Sequence, residues 1–374
     1  MTYRAILIIV LVAAGIAPPA SAAEFATEEL AIDVEVVADR LRHPWAVAML
    51  PDGSLLVTER RGSLLHIAGD RRTEIAGVPA VAAVGQGGLL DVAVDEDFAR
   101  SRRIWLSYAE PGPGGASTAL ATGVLSADGS RLEHVERLFV MARKTGTRLH
   151  FGSRIVLAPD DMLFLTTGDR GDGPRAQDFF DSAGAVIRLK RNGTVPPDNP
   201  FADGTRGLPE LWSKGHRNIQ GAAWDAARGL LWTVEHGAMG GDEINRPEPG
   251  RNYGWPVITY GRNYDGARIG IGTEAPGYEQ PVHYWDPSIA PSGLAVVSGD
   301  LFGEWRGDLL VGALAGQMLV RLSVDAQGRI VGEERMLEGR YGRIRDVRVL
   351  ADGAVWMVTD EPSGQLLRIT PVRR

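Results

Sequence analysis

An all-β fold, and within it a six-bladed β-propeller with long inter-strand loops, is what this chain predicts. Three observations carry the prediction. One strand phrase returns along the chain. Turn residues are abundant, with 47 glycines and 22 prolines in 374 residues. No long amphipathic helical pattern separates the strand-like runs, which indicates an all-β fold, and repetition at a long period indicates blades.

The chain opens with Arg4, an apolar run from Ile6 to Ile16, and the small residues Ala20-Ser21-Ala22. This pattern is that of a secretory leader with a charged start, an apolar middle and a cleavage site. The run falls short of the ~20 apolar residues that span a bilayer. Residues 1–22 are therefore expected to be a signal peptide and 23–374 a single propeller domain, periplasmic or secreted, with no stable membrane insertion. The formal net charge is −7, and the basic residues are scattered. That balance argues against nucleic acid as a partner. Cysteine is absent, which excludes disulfides, thiol nucleophiles, iron–sulfur clusters and Cys-type zinc sites.

The repeated phrase is a turn, a strand rich in β-branched and aromatic residues, and a polar end. It appears at Pro51–Glu59, Pro159–Asp169, Arg228–Glu235 and Asp352–Glu361. A second strand follows at Ser63–Ile67, Ala185–Leu189 and Gln365–Ile369. Asp-Gly between apolar runs is a strong turn signal. The copies are unevenly spaced, so long insertions must lie between strands. In a propeller the polar strand ends and the loops beyond them converge on one mouth of the central channel, where a ligand would sit.

Several stretches could carry chemistry there. Gly85-Gln86-Gly87-Gly88 places one amide side chain among glycines, either as a ligand contact or as a solvated turn. His150, before the apolar run Ile155–Ala158, can serve as a general base near neutral pH or as a packed histidine. Ser153 lies in no Gly-x-Ser-x-Gly elbow, so serine hydrolase chemistry is not indicated. His216-Arg217-Asn218 sets a guanidinium fork beside an amide, which suits a planar anionic ligand as well as a structural salt bridge. Gly237-Ala238-Met239-Gly240-Gly241-Asp242-Glu243 offers carboxylates and carbonyls, the hard ligands of Ca²⁺, without EF-hand spacing. Arg343 and Arg345 fall on one face of a strand at period two and call for an anionic partner inside or outside the chain.

Taken in order, Gly85–Leu90, His150–Arg154, Gly215–Gly221, Gly241–Asn245, Asn252–Pro256 and Arg343–Asp346 resemble the soluble pyrroloquinoline quinone (PQQ)-dependent sugar dehydrogenases, in their aldose sugar dehydrogenase branch. The resemblance covers nearly all of the mature chain and implies a six-bladed propeller with PQQ at the channel mouth. It implies an aldose substrate oxidised at C1 to the lactone, with an electron acceptor that the sequence does not name. It makes His150 the general base and Arg217 and Asn218 the residues that bind PQQ and polarise the quinone oxygen. Gln86, Tyr264, Arg343, Arg345 and the turn Ala313-Leu314-Ala315 would also contact PQQ. Ca²⁺ would take carbonyls from Gly237 and Ala238, and a further Ca²⁺ would use Glu243 and the Tyr253 carbonyl. Two positions depart from the family pattern. Ala315 stands where a lysine is usual, and Ala238 stands where proline is usual. Two other readings suit a propeller. A metal-dependent lactonase leaves Arg217, Arg343 and Arg345 without an anionic ligand. A non-catalytic binding propeller agrees with the missing cation at Ala315.

Overall fold

The computed structural model describes residues 23–372; the expected leader, 1–22, lies outside them. Six antiparallel sheets form the blades of a propeller, five with four strands and one with five. Helix among the described residues is confined to one α-helical turn, Phe98–Ser101, and two 3-10 turns. The innermost strands, one per blade, are Pro44–Met49, Leu89–Val94, Ile155–Ala158, Ile219–Asp225, Pro291–Val296 and Ile344–Val349. They neighbour one another in sequence order around the channel, and the sixth returns to the first.

The repeated phrase occupies the second strand of four blades: Leu55–Glu59, Met162–Thr166, Leu230–Glu235 and Val355–Thr359. These strands run between neighbouring sheets, so most of their residues are buried. Their near-continuous apolar sequence follows from burial on both faces. The second strands of blades two and five, Arg103–Gly112 and Leu309–Ala313, lack the phrase. The ring closes in the sixth blade, where Ala31–Leu41 pairs antiparallel with Gly364–Pro371, and Ala23–Ala26 adds a fifth strand at the edge. The two ends of the described chain are thereby stitched into one sheet.

Close approach of the inner strands demands glycine at two places. A Cβ on Gly221 would stand 2.3 Å from the Ser292 carbonyl oxygen, and one on Gly293 2.3 Å from the Val347 nitrogen. At those distances blades four to six could not meet.

Buried charge holds the channel together. Arg154 lies 2.8 Å from Asp346 and 3.3 Å from Asp91, and its Nε donates to the Gln220 carbonyl at 3.1 Å. Arg348 bonds the same two acids, at 2.6 Å to Asp91 and 3.0 Å to Asp346. Asp346 also accepts the Val47 N–H at 3.2 Å, and Asp91 the Ile155 N–H at 2.8 Å. Two cations and two anions are thus neutralised in a quartet that joins blades one, two, three, four and six. At the mouth, first and last blades meet again where His43 Nδ1 bonds Asp360 at 2.8 Å. Burial pushes the Asp360 carboxyl up. The Arg345 charge, the His43 hydrogen bond and Arg60 outweigh it and hold the group well below the usual carboxylate range.

Two outcomes follow for stability. Arg154→Met leaves two buried carboxylates to share Arg348 alone and should lower the unfolding free energy by about 3–5 kcal/mol in equilibrium denaturation; wild-type stability in that variant would remove the quartet from this role. Asp360 is an acid whose folded value is depressed, so its contribution is complete above the ordinary aspartate value of about 3.9 and is lost as pH falls towards the folded value. The thermal midpoint of wild type should exceed that of Asp360→Asn at neutral pH, and the gap should close as the pH is lowered through that range. A gap that stays constant down to about pH 2 would contradict the assignment.

Candidate active site

The polar ends of the repeated strands build the rim of the channel. Asp169, Glu235 and Asp360 each hold a histidine through Nδ1: His150 at 2.6 Å, His216 at 2.7 Å and His43 at 2.8 Å. Glu59, at the same place in the first blade, accepts the Arg42 N–H at 2.7 Å.

His150 is the most tightly framed of the three. Its backbone has φ +51°, and its N–H donates to Gln86 Oε1 at 2.8 Å. With Nδ1–H given to a carboxylate, Nε2 carries the lone pair, the tautomer that a general base needs. Nε2 has no hydrogen-bond partner among the described residues. Asp169 is nearly fully buried and accepts from Gly171 N–H at 2.7 Å and Trp255 Nε1–H at 2.7 Å as well. Burial pushes its carboxyl up, but His150, the Gly171 N–H and Arg217 together bring it below the usual range. It remains an anion that orients the imidazole.

Beside this dyad lies a cavity of about 140 Å³, whose lining includes Trp45, Gln86, Gln220 and Leu314 together with the cations Arg60, Arg343 and Arg345. Arg345 is buried between Gln220 Oε1, at 2.9 Å, and Asp360, at 3.1 Å. Arg60, Arg217 and Arg343 make no ion pair among the described residues. Arg60 donates to the Gly85 carbonyl at 2.9 Å and Arg343 to that of Leu314 at 3.4 Å. Arg217 lies just behind the lining, where Nη1 meets the His236 carbonyl at 3.2 Å and the guanidinium lies 5.2 Å from the centre of the Trp255 ring. Its Nε and the Nδ2 of Asn218 are buried donors without a partner. Asn218 Oδ1 is used, accepting from Gly152 N–H at 3.2 Å and Gln220 Nε2 at 3.0 Å. Unpartnered buried donors are rare and expect an acceptor. The donor set fits a planar polyanion.

His236 also lines the cavity. Its Nε2 meets the Pro291 carbonyl at 2.7 Å. Burial first, then the charges of Arg345 and Arg217, pushes it down to about 3, so it stays neutral. Of the turn 313–315, Ala313 and Leu314 are buried, Leu314 on the cavity, while Ala315 is exposed. Tyr264 is 77 % exposed and stands on a loop outside the cavity lining.

The glycine-rich loop is framed by Asp242. One oxygen accepts the Gly237 N–H at 2.8 Å; the other takes Ser288 Oγ–H at 2.7 Å and the N–H groups of Ile289 and Ala290 at 2.8 and 3.0 Å. Asp242 is therefore consumed in holding Gly237 and Ala238 in place. Glu243 is different. Asn245 Nδ2 lies 3.1 Å from both Glu243 and Glu235, and burial together with the Glu235 charge pushes the Glu243 carboxyl up to about 8. Two acids this close, with no cation between them, fit a divalent ion. No cluster of three or more metal-binding side chains occurs among the described residues, so backbone carbonyls would complete such a site. Tyr253 stacks on His216 at 4.7 Å, and its hydroxyl joins the Arg246 carbonyl and the Glu248 N–H.

The structure thus brings His150, Gln86, Arg217, Asn218, Leu314, Arg343 and Arg345 to one mouth, and Glu243 and Tyr253 to the Glu235–His216 pair beside it. It adds Asp169, Asp360, Arg60, Gln220 and His236, which sequence reasoning did not single out. Asp169 and Asp360 stood at the polar ends of the repeated phrase, and Arg60 and His236 follow such ends directly. Position in the repeat was the available signal.

Residues 41–368 match the family described as glucose / sorbosone dehydrogenase. The chain is 44% identical over 346 residues to the aldose sugar dehydrogenase YliI of Escherichia coli K12, covering 91% of this chain and 93% of that protein. The apo-form structure of the soluble aldose sugar dehydrogenase from Escherichia coli superimposes with a TM-score of 0.88 at 44% identity, over 91% of this chain and all (100%) of that one. The PQQ-bound aldose sugar dehydrogenase of Streptomyces coelicolor gives a TM-score of 0.75 at 29% identity, over 94% of this chain and 100% of that one. With the model matched over most of its length, the chain belongs to the glucose / sorbosone dehydrogenase family.

Proposed function

We propose that this protein is an exported, PQQ- and Ca²⁺-dependent aldose dehydrogenase that oxidises the sugar at C1 to the lactone. The observation that carries the reading is the His150–Asp169 dyad beside an arginine-walled cavity where the buried Nε of Arg345 lacks an acceptor, as do Arg217 Nε and Asn218 Nδ2 just behind the lining. The relatives support it, one as an aldose sugar dehydrogenase and one as a PQQ-bound structure. When bound, PQQ supplies a quinone that accepts hydride, and Ca²⁺ beside it acts as a Lewis acid.

The chain's own part is binding, orientation and proton transfer. His150 Nε2 takes the proton of the anomeric hydroxyl. Asp169 keeps Nδ1–H fixed and stabilises the imidazolium that results, without itself taking the proton. The expected strand face is not formed, because the strand starts at Ile344 and is irregular there. Arg343 just ahead of it and Arg345 within it nevertheless line the same cavity, and with Arg217 beside Asp169 they would hold the carboxylates and carbonyls of the cofactor. Asn218 Nδ2 offers a further donor, Gln86 fixes the His150 backbone, and Leu314 covers the cavity wall. Tyr264 reaches the cofactor if its loop folds over the mouth. Carbonyls of Gly237 and Ala238 would hold Ca²⁺ at the quinone, and Glu243 with the Tyr253 carbonyl would hold a second, structural ion. The leader places this chemistry in the periplasm or outside the cell. Among the described residues no helix is long and apolar enough to cross a membrane.

Two measurements test this. Protein reconstituted with PQQ and Ca²⁺ should reduce an artificial dye when given aldoses. Ca²⁺ chelation before PQQ is added should abolish the reaction, and restored Ca²⁺ should recover it. No dye reduction with any aldose after reconstitution would sink the proposal. His150→Ala should still bind PQQ in an absorbance titration, while turnover falls by about 10²–10⁴-fold. Oxidation at the wild-type rate would show that the base lies elsewhere.

A further inference from the structure

Asp169 presents two oxygens, and only one faces the base. Oδ1 accepts from His150 Nδ1 at 2.6 Å and from Gly171 N–H at 2.7 Å. Those two bonds leave the carboxylate free to rock about its own axis. Oδ2 is fixed by a group from a different blade, the indole N–H of Trp255, at 2.7 Å. The same indole ring lies 5.2 Å from the Arg217 guanidinium. One side chain therefore touches the partner of the base and one of the cations beside the cavity.

Trp255 is itself held rigidly. Its backbone N–H donates to the Gly215 carbonyl at 2.9 Å, and its carbonyl accepts from Gln177 Nε2 at 2.7 Å. Gln177 and Asn252 exchange hydrogen bonds at 3.1 and 2.8 Å, which ties the Trp255 loop to the segment that carries Asp169. A Cβ on Gly173 would stand 3.3 Å from Trp255 Nε1, so the indole fits closely against that segment. A donor held this way restricts its acceptor in turn.

We propose that Trp255 is a positioning residue, whose indole N–H locks Asp169 and whose ring seats Arg217, so that the base and the cofactor-facing cation are set by one side chain. The inference rests on the sugar-oxidising reading above. Trp255 acts through Asp169 and Arg217 and touches no reacting atom.

Trp255→Phe keeps an aromatic ring beside Arg217 and removes the N–H. In protein without cofactor, the imidazole Nδ1–H resonance of His150 should move, because its acceptor has lost a partner. Once PQQ and Ca²⁺ are added, kcat for aldose oxidation should fall by about 10- to 100-fold, the scale of a lost hydrogen bond to a charged group, with PQQ affinity changed far less. An unmoved resonance, or a kcat within about twofold of wild type, overturns the inference. The resonance is read without cofactor, so it decides the role of Trp255 even where wild-type protein oxidises no aldose, a result that would overturn the function itself. If the phenylalanine variant fails to fold, β-(3-benzothienyl)alanine at position 255 keeps the shape of the indole and removes only the donor. The same two readouts then apply.

Discussion

The structure depends on the neutral quartet of Arg154, Arg348, Asp91 and Asp346 on the channel axis. Isolated charges are expensive to bury, and each of these is offset by two of the opposite sign. The bonds cross blade boundaries, so the quartet forms only when the ring is closed. Apolar packing between neighbouring sheets is non-directional and would tolerate small slips. Four charges at 2.6–3.3 Å do not. The quartet also bears on the site above it. The Arg154 guanidinium lies 4.3 Å from the Trp45 ring, and that ring is 5.9 Å from Arg345. Trp45 therefore stands between the axial charges and the cavity lining, and a shift below would move the arginines above.

On that frame the repeated strand end produces three histidine–carboxylate pairs with different fates. His216 is fully buried. Its Nδ1 meets Glu235, its Nε2 meets Ser213 Oγ at 2.9 Å, and Tyr253 stacks on its face. Both nitrogens are occupied, so it can pack but cannot take a proton from a substrate. His43 shares Asp360 with Arg345, which spends the pair on closing the ring. His150 and His43 each combine a bonded Nδ1 with an Nε2 that has no partner among the described residues, but Asp360 is divided between His43 and Arg345, whereas Asp169 serves His150 beside the cavity. The same local solution thus yields a packed support, a latch and a base, decided by the second nitrogen for His216 and by the sharing of the carboxylate with Arg345 for His43.

How far the sequence revealed this can be argued from the same residues. Strands such as Met162–Thr166 and Val355–Thr359 were legible because turn, apolar run and polar end all agree. Blades two and five were not, because Arg103–Gly112 and Leu309–Ala313 lack the polar end that marks a copy. The five-stranded closing blade was invisible too, since the pairing of Ala31–Leu41 with Gly364–Pro371 spans the chain and no local pattern encodes it. His150 was conspicuous in sequence and Asp169 was visible only as the polar end of a repeated phrase; their partnership required the strand between them to turn back. Tyr264 entered through resemblance alone, and its exposed loop position shows how little sequence says about long insertions.

The charge at the mouth runs against the charge of the molecule. The chain is acidic overall at −7, yet Arg60, Arg217, Arg343 and Arg345 gather at one opening with Asp360 and Asp169 as the nearby acids. Asp360 is shared between Arg345 and His43, and Asp169 is committed to His150 and Trp255. The surplus positive charge is left without an internal partner, and like charges so placed repel one another. Such an arrangement destabilises the empty fold locally and is relieved only by an anion. The turn at Ala313–Ala315 contributes no cation, so the attraction comes from Arg343, just ahead of the strand Ile344–Val349, from Arg345 within it and from Arg60 at the neighbouring blade. Arg60, Arg343 and Arg345 thus face the same cavity that Gln86, Phe151 and Gly152, the neighbours of His150, also line, so the unbalanced charge and the free imidazole nitrogen meet at one opening.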